Sequence, residues 1–146
     1  MEVNTLCVVG AGTMGTGIAQ IAAQAGMRVW LLDANEAALP SSRKRLEKSL
    51  AGGIERGKIT AVEADAVRER VLWDASLEHL AEADWVIEAV FEDLAAKEEV
   101  YHAVRARVGE QVPVATNTST FLVRDLAALY GRPGVFLGMH FFNPPP

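Results

Sequence analysis

The stretch TLCVVGAGTMGTGIAQIAAQAGMRVWLLD, residues 5–33, decides the fold of this 146-residue chain. It begins with an apolar run at residues 5–10, which is typical of a strand that is covered on both faces of a sheet. Apolar side chains then recur at helical spacing over residues 14–25. A second apolar run at residues 28–33 completes the pattern. The order strand, helix, strand predicts a βαβ unit, in which the two strands are parallel.

A glycine-rich turn joins the first predicted strand to the first predicted helix, with the pattern G-x-G-x-x-G. In this context the first glycine permits a tight turn, the second lets the backbone approach a pyrophosphate, and the third lets the helix pack close to the sheet. The free N–H groups at the start of the helix then face the phosphates. We therefore predict a dinucleotide-binding turn formed by Gly10, Ala11, Gly12, Thr13, Met14 and Gly15.

Asp33 ends the second predicted strand, 23 residues after Gly10. A carboxylate at this place accepts hydrogen bonds from both hydroxyls of an adenosine ribose, and it repels a 2′-phosphate. Ala34 and Asn35 follow and supply no arginine for such a phosphate, so the sequence favours NAD over NADP. The alternative interpretation is an ordinary turn followed by an acidic loop residue.

The rest of the chain continues the alternation of apolar runs and helical patterns. This alternation predicts an α/β domain of the Rossmann type, with a doubly wound and mainly parallel sheet and helices on both faces. The pair Gly52-Gly53 is predicted to end one helix, and a capping-box pattern at Thr60 and Glu63 to begin the next. The further predicted strands are at residues 71–73, 85–89, 114–117 and 135–139, and the further predicted helices at 36–50, 60–69, 94–108 and 122–129.

Composition excludes several classes of protein. Half of the residues are hydrophobic and 23% are charged, which excludes a disordered chain. The net charge of −5 argues against a nucleic-acid partner, and no apolar run is long enough to cross a membrane. The single cysteine, Cys7, excludes a cysteine-based zinc site, and no metal is expected. We expect one NAD-binding domain, residues 1–146, in the cytoplasm.

Four motifs follow one another along the chain. They are GAGTMGTGIAQ at residues 10–20, EAVFEDLAAK at 88–97, NTST at 117–120 and GMHFFNP at 138–144. This set resembles the L-3-hydroxyacyl-CoA dehydrogenase family, which includes 3-hydroxybutyryl-CoA dehydrogenases, and the resemblance extends over essentially the whole chain. It implies oxidation of the 3-hydroxyl of an acyl-CoA, with NAD as the hydride acceptor. Thr120 is a departure, since family members usually have a second serine there, but the preceding Ser119 is kept.

The resemblance assigns roles to four residues outside the glycine turn. Glu92 and Lys97 would lie near the nicotinamide ribose. Ser119 would contact the nicotinamide and the substrate oxygen, and His140 would be the general base, a task that suits the near-neutral pKa of histidine. Plainer interpretations exist for three of them. Glu92 suits the start of a helix, Lys97 suits an exposed helix face, and His140 suits a structural position.

Residues 41–58 carry six basic and two acidic side chains, a local net charge of +4. One interpretation is a solvated helix face with ion pairs such as Arg43 with Glu47. The other, implied by the resemblance, is a helical hairpin that contacts the acyl-CoA substrate, with Ser49 and Arg56 at the contact positions.

The resemblance also implies parts of a site that lie outside residues 1–146. Family members orient the catalytic histidine with a glutamate further along the chain, and they form a homodimer through a helical C-terminal domain. We therefore expect this chain to be a truncated piece that is inactive, or nearly so, by itself. Two alternatives stay open: an NAD-dependent dehydrogenase of a non-CoA hydroxy acid, and a non-catalytic NAD-binding module.

Overall fold

Six parallel strands form one sheet at the centre of the computed structural model, which describes residues 2–143. In chain order the strands are β1 (Thr5–Val9), β2 (Arg28–Leu32), β3 (Val71–Asp74), β4 (Trp85–Glu88), β5 (Val114–Thr116) and β6 (Phe136–Gly138). Their order across the sheet is β3-β2-β1-β4-β5-β6, and each neighbouring pair is parallel. The predicted doubly wound fold of the Rossmann type is therefore confirmed.

Helices cover both faces of this sheet. The α-helices are α1 (Thr13–Gln24), α2 (Ala38–Glu55), α3 (Ala61–Arg70), α4 (Leu94–Arg107) and α5 (Val123–Tyr130), and short 3-10 helices lie at Leu77–Glu82 and Pro133–Val135. Helices α1, α2 and α3 share one apolar core with Val8 of β1, whereas α4 and α5 share a second core with Cys7 of the same strand. In the part of the chain described, no helix has the length and apolar composition that crossing a bilayer requires.

The strand order creates a crevice between the carboxyl ends of β1 and β4. The chain winds outward from β1 to β3 and then returns to place β4 on the other side of β1. Sheets of this kind bind ligands at such a switch point. The glycine turn follows β1 and residues 89–93 follow β4, so both segments lie at this crevice.

Helix α2 continues past the point at which the sequence predicts its end. The pair Gly52-Gly53 lies inside the helix, which ends at Glu55. Gly53 is buried, and a β-carbon on it would lie 3.1 Å from the side chain of Ile59. The glycine therefore serves close packing of the chain that follows, not termination. The predicted capping box is confirmed at the start of α3.

His79 is more enclosed than its sequence context predicts. Polar surroundings predict surface positions for His79 and His102, and His102 is exposed, but only 25% of the His79 side chain is exposed. Its ring stacks on Trp30, and its Nδ1 and Nε2 atoms lie 2.9 Å from Glu82 and 3.0 Å from Asp74. The hydrogen bond with Glu82 raises the pKa of His79, although partial burial acts in the opposite direction.

We predict that His79→Gln lowers Tm more at about pH 5.5 than at about pH 8.5. The pKa of His79 is raised in the folded state. Its contribution to stability is therefore fully present below the unfolded value of about 6.5, and it is lost as the pH rises through the folded value. Thermal unfolding at both pH values is the measurement, with His102→Gln as the matched control. An equal loss of Tm at the two pH values would contradict this assignment.

Candidate active site

Two glycines fix the geometry of the turn between β1 and α1. Gly10 has a φ of +110°, a left-handed conformation that favours glycine, and a β-carbon there would overlap the backbone of Ala89 after β4. A β-carbon on Gly15 would overlap the carbonyl oxygen of Gly10. Both glycines thus let backbone pack directly on backbone, which sets the first turn of α1 at the crevice.

Gly12 has a different role, because open space lies over it. No atom lies within 4 Å of a β-carbon added there, and both Gly12 and Thr13 are exposed. Gly12 is the N-cap residue of α1 and contributes no side-chain cap, so the N–H groups of Thr13 and Met14 are left for a ligand. This arrangement fits a pyrophosphate, which needs both the space and the donors.

Asp33 lies directly against the glycine turn. Its Oδ2 accepts a hydrogen bond from the backbone N–H of Ala11 at 2.9 Å, and its Oδ1 accepts one from Asn35 at 2.9 Å. Ala11 is buried, and its N–H is occupied by this contact. The carboxylate is half-buried, and each oxygen keeps further acceptor capacity. The two bonds orient Asp33 at the end of β2, which fits a carboxylate that binds ribose hydroxyls.

The other side of the crevice contains a buried carboxylate, Glu88, at the end of β4. Its Oε1 accepts hydrogen bonds from Nζ of Lys97 at 2.8 Å and from the backbone of Val90 at 2.9 Å. Its Oε2 accepts from the hydroxyls of Tyr101 at 2.8 Å and Thr116 at 2.7 Å. Burial, and next the charge of Glu88, raise the pKa of Tyr101, so its hydroxyl stays protonated as a donor.

Glu92 links this buried group to the turn formed by residues 117–121, which we call the Ser119 turn. Its Oε1 lies 3.3 Å from Nζ of Lys97, and its Oε2 accepts hydrogen bonds from the hydroxyls of Thr118, at 2.7 Å, and Thr120. Partial burial acts to raise the pKa of Glu92, but the two threonine hydroxyls and the Lys97 ammonium together lower it. Ser119 itself is exposed between the two threonines.

The segment that carries His140 is held beside the Ser119 turn. The N–H of Met139 donates to the carbonyl oxygen of Thr116 at 3.0 Å, and the N–H of Phe141 donates to Oδ1 of Asn117 at 2.8 Å. His140 lies between these two bonds, and its side chain is exposed. The structure therefore brings the NTST and GMHFFN segments together at one edge of the sheet.

Ser49 lies on α2, and Arg56 directly follows the last residue of this helix. Both are exposed, and their spacing of two helical turns places them on the same side of the helix as Arg45. The predicted pair between Arg43 and Glu47 does not form. Glu47 binds Arg68 of α3, with the closest atoms 2.9 Å apart, whereas the guanidinium of Arg43 lies 5.0 Å from the ring centroid of Trp73.

Sequence reasoning did not identify the residues that hold the NTST and GMHFFN segments in place. Glu88, Asn117 and Thr118 have this role through the hydrogen bonds described above. A signal existed for Glu88, because a charged residue directly follows the apolar run VI in a strand that helices cover on both faces. Asn117 and Thr118 belong to the NTST motif, but the sequence does not show what they hold, since their partners are distant in the chain.

Comparison with known proteins gives one family. The profile of the family described as 3-hydroxyacyl-CoA dehydrogenase, NAD binding domain, matches residues 5–146. A protein from Bacillus subtilis (strain 168), named probable 3-hydroxybutyryl-CoA dehydrogenase, is 42% identical over 146 residues, which are 100% of this chain and 51% of the relative. The 3-hydroxyadipyl-CoA dehydrogenase of Escherichia coli (strain K12) is 36% identical over 100% of this chain and 31% of its own length.

Solved structures agree with this result. The 3-hydroxybutyryl-CoA dehydrogenase of Escherichia coli K12 superposes with a TM-score of 0.94 and 36% identity, covering 100% of this chain and 31% of that one. The (S)-3-hydroxybutyryl-CoA dehydrogenase of Ralstonia eutropha gives a TM-score of 0.94 and 37% identity, and the match covers 98% of this chain and 50% of that one. The chain spans about half the length of several curated relatives that it matches.

We predict opposite outcomes for alanine at two glycines of the turn. Gly12→Ala should keep the fold, because open space lies over this residue, but should weaken NADH binding at least about tenfold, because the methyl group enters the phosphate space. Gly15→Ala should lower Tm by about 10 °C or more, because its methyl group meets the backbone of Gly10. Calorimetric NADH titration and thermal unfolding of both variants are the measurements.

A Gly12→Ala variant with unchanged NADH affinity would remove the turn from the site. A Gly15→Ala variant as stable as the parent would contradict the proposed packing of α1 on the turn.

Proposed function

Because this chain belongs to the family of NAD-binding domains of 3-hydroxyacyl-CoA dehydrogenases, we propose that the protein that carries it transfers hydride between NAD and C3 of an L-3-hydroxyacyl-CoA. NAD is the cofactor of this family of domains. The observation that carries the proposal is the hydrogen bond from the N–H of Phe141 to Oδ1 of Asn117. It joins the segments of His140 and Ser119, which follow β6 and β5, at the carboxyl edge of the same parallel sheet that carries the glycine turn after β1.

The residues at the crevice fit NAD at two separate points. Open space and free N–H groups at Gly12 suit the pyrophosphate, and the oriented carboxylate of Asp33 suits the ribose hydroxyls. NAD supplies the nicotinamide ring that takes up or releases the hydride. In this proposal Glu92, whose side chain is 34% exposed, contacts the nicotinamide ribose.

His140 acts on the proton in this proposal. Its imidazole takes the proton of the 3-hydroxyl as the hydride leaves, and in the reverse direction the imidazolium donates that proton to the carbonyl oxygen. Ser119 donates a hydrogen bond to the same substrate oxygen and thereby orients it. Both side chains are exposed on adjoining segments, so a substrate can reach them.

The flank of α2 formed by Arg45, Ser49 and Arg56 supplies a place for the phosphates of coenzyme A. Its guanidinium and hydroxyl groups are exposed donors, and they belong to the basic stretch at residues 41–58. A substrate without coenzyme A would make no use of this flank. The acyl-CoA substrates of the relatives support the same choice over a non-CoA hydroxy acid. The homodimer, the helical second domain and the cytoplasmic location stay predictions.

We predict that His140→Gln, in the complete protein, lowers kcat for reduction of acetoacetyl-CoA by about 10²–10⁴-fold. NADH affinity should change little, because the imidazole acts on the substrate proton and not on the dinucleotide. Steady-state kinetics and NADH titration test this, with exposed His102→Gln as the matched control. Acetoacetate serves as the second substrate. Turnover of acetoacetate as fast as acetoacetyl-CoA would favour the non-CoA dehydrogenase, and no turnover of either would favour the NAD-binding module.

We predict that Arg45→Gln with Arg56→Gln raises KM for acetoacetyl-CoA by roughly five- to thirtyfold, because each of the two exposed contacts with a phosphate contributes about 0.5–1 kcal/mol. The effect should shrink at high salt. The control is Lys44→Gln with Lys48→Gln, which removes the same charge from the outward side of the same helix. Equal effects of the two variants would mean that only the net charge matters, and no effect would leave the solvated-face interpretation.

A further inference from the structure

Lys97 and Glu88 form an ion pair that no reacting atom reaches. Neither side chain has any exposed surface, and Nζ lies 2.8 Å from Oε1. Two charges are kept inside a protein only where they neutralise each other and their remaining donors and acceptors are satisfied. Glu88 meets that condition, because each of its oxygens accepts two hydrogen bonds.

The ammonium of Lys97 has donors left after it binds Glu88. An ammonium carries three N–H groups, and a second carboxylate, that of Glu92, lies 3.3 Å from the same nitrogen. Glu92 belongs to the segment between β4 and α4, whereas Glu88 ends β4 and Lys97 lies in the first turn of α4. Lys97 therefore ties this intervening segment to the interior of the domain.

We propose that the buried Glu88–Lys97 pair positions the Ser119 turn, a role that rests on the function proposed above. Lys97 holds the Glu92 carboxylate through its Oε1 atom. The Oε2 atom of Glu92 accepts hydrogen bonds from the hydroxyls of Thr118 and Thr120, which lie on either side of Ser119. The hydroxyl oxygen of Thr118 in turn accepts a hydrogen bond from the backbone N–H of Phe121 at 3.1 Å. One carboxylate oxygen thus fixes both flanks of the residue that meets the substrate oxygen.

The sequence resemblance implies that Lys97 lies near the nicotinamide ribose. Its nitrogen is enclosed and already lies beside two carboxylates. Of the three side chains in this group, Glu92 alone reaches solvent. The geometry therefore gives Lys97 a positioning role, which it exerts through Glu92, in addition to the role near the nicotinamide ribose that the resemblance implies.

The test removes the pair without leaving a buried charge unpaired. Lys97→Met with Glu88→Gln is compared with Arg107→Met with Glu78→Gln, which removes an exposed ion pair from the other end of α4, with its atoms 2.9 Å apart. Amide hydrogen exchange of residues 117–121 is measured by mass spectrometry on the complete protein without NADH. Exchange should become at least about fivefold faster in the buried-pair variant and stay unchanged in the control.

Kinetics supply the second readout. The buried-pair variant should lower kcat with acetoacetyl-CoA about tenfold or more at saturating NADH, together with the faster exchange at residues 117–121. Thr118→Val with Thr120→Val should give the same two effects, and adding it to the buried-pair variant should cause little further loss, since all four residues act in one unit. If the buried-pair variant does not fold, the threonine variant alone decides by the same two readouts.

Unchanged exchange at residues 117–121 would overturn the positioning role. A rise in Kd for NADH of more than about tenfold with unchanged exchange would instead assign Lys97 to direct cofactor binding. Failure of the proposed function is seen separately, because it appears as absent turnover of acetoacetyl-CoA by the unmodified protein. The exchange measurement does not depend on that turnover.

Discussion

Backbone packed directly on backbone, where β1, α1 and β4 meet, is the constraint on which the rest of this domain depends. Gly10 lies against the backbone of Ala89, and Gly15 lies against the carbonyl of Gly10. Any side chain at these two positions would push α1 away from the sheet or β4 away from β1. With both glycines in place, the N-terminus of α1 lies at the crevice of the switch point, where in our proposal its N–H groups bind the pyrophosphate.

The buried charge of Glu88 is the second constraint, and it positions the segments that follow β4 and β5. Glu88 carries a negative charge into the interior at the end of β4, and Lys97 neutralises it. Removing one partner of such a pair costs about 3–5 kcal/mol, so the two are kept together. The same ammonium reaches Glu92, which binds the Ser119 turn, and Asn117 of that turn binds the segment of His140. In our proposal the catalytic residues thus depend on a buried charge that never meets the substrate.

The sequence predicted the fold well because its signals are local. Each strand is a short apolar run, and the glycine pattern lies between a predicted strand and a predicted helix, which is the context in which it indicates a dinucleotide-binding turn. Predictions that required a distant partner were less successful. One interpretation of residues 41–58 pairs Glu47 with its helix neighbour Arg43, but Glu47 binds Arg68 of α3. The predicted end of α2 at Gly52-Gly53 was wrong, because Gly53 makes room for the side chain of Ile59 inside the helix. Sequence spacing does not show this contact. Lys97 occupies a polar helix position, and nothing local shows that β4 has placed a carboxylate beneath it. The roles of His140, Ser119, Ser49 and Arg56 stay predictions.

The most direct test of the nucleotide site is a calorimetric titration of residues 1–146 with NADH and with NADPH. Asp33 is held against the glycine turn by the N–H of Ala11. In our proposal its carboxylate binds two ribose hydroxyls and repels a 2′-phosphate. We predict that NADH binds at least about tenfold more tightly than NADPH, and that Asp33→Ala removes most of this preference, whereas exposed Asp65→Ala does not. Equal affinities for the two dinucleotides, or tighter binding of NADPH, would contradict the assignment of this crevice as an NAD site.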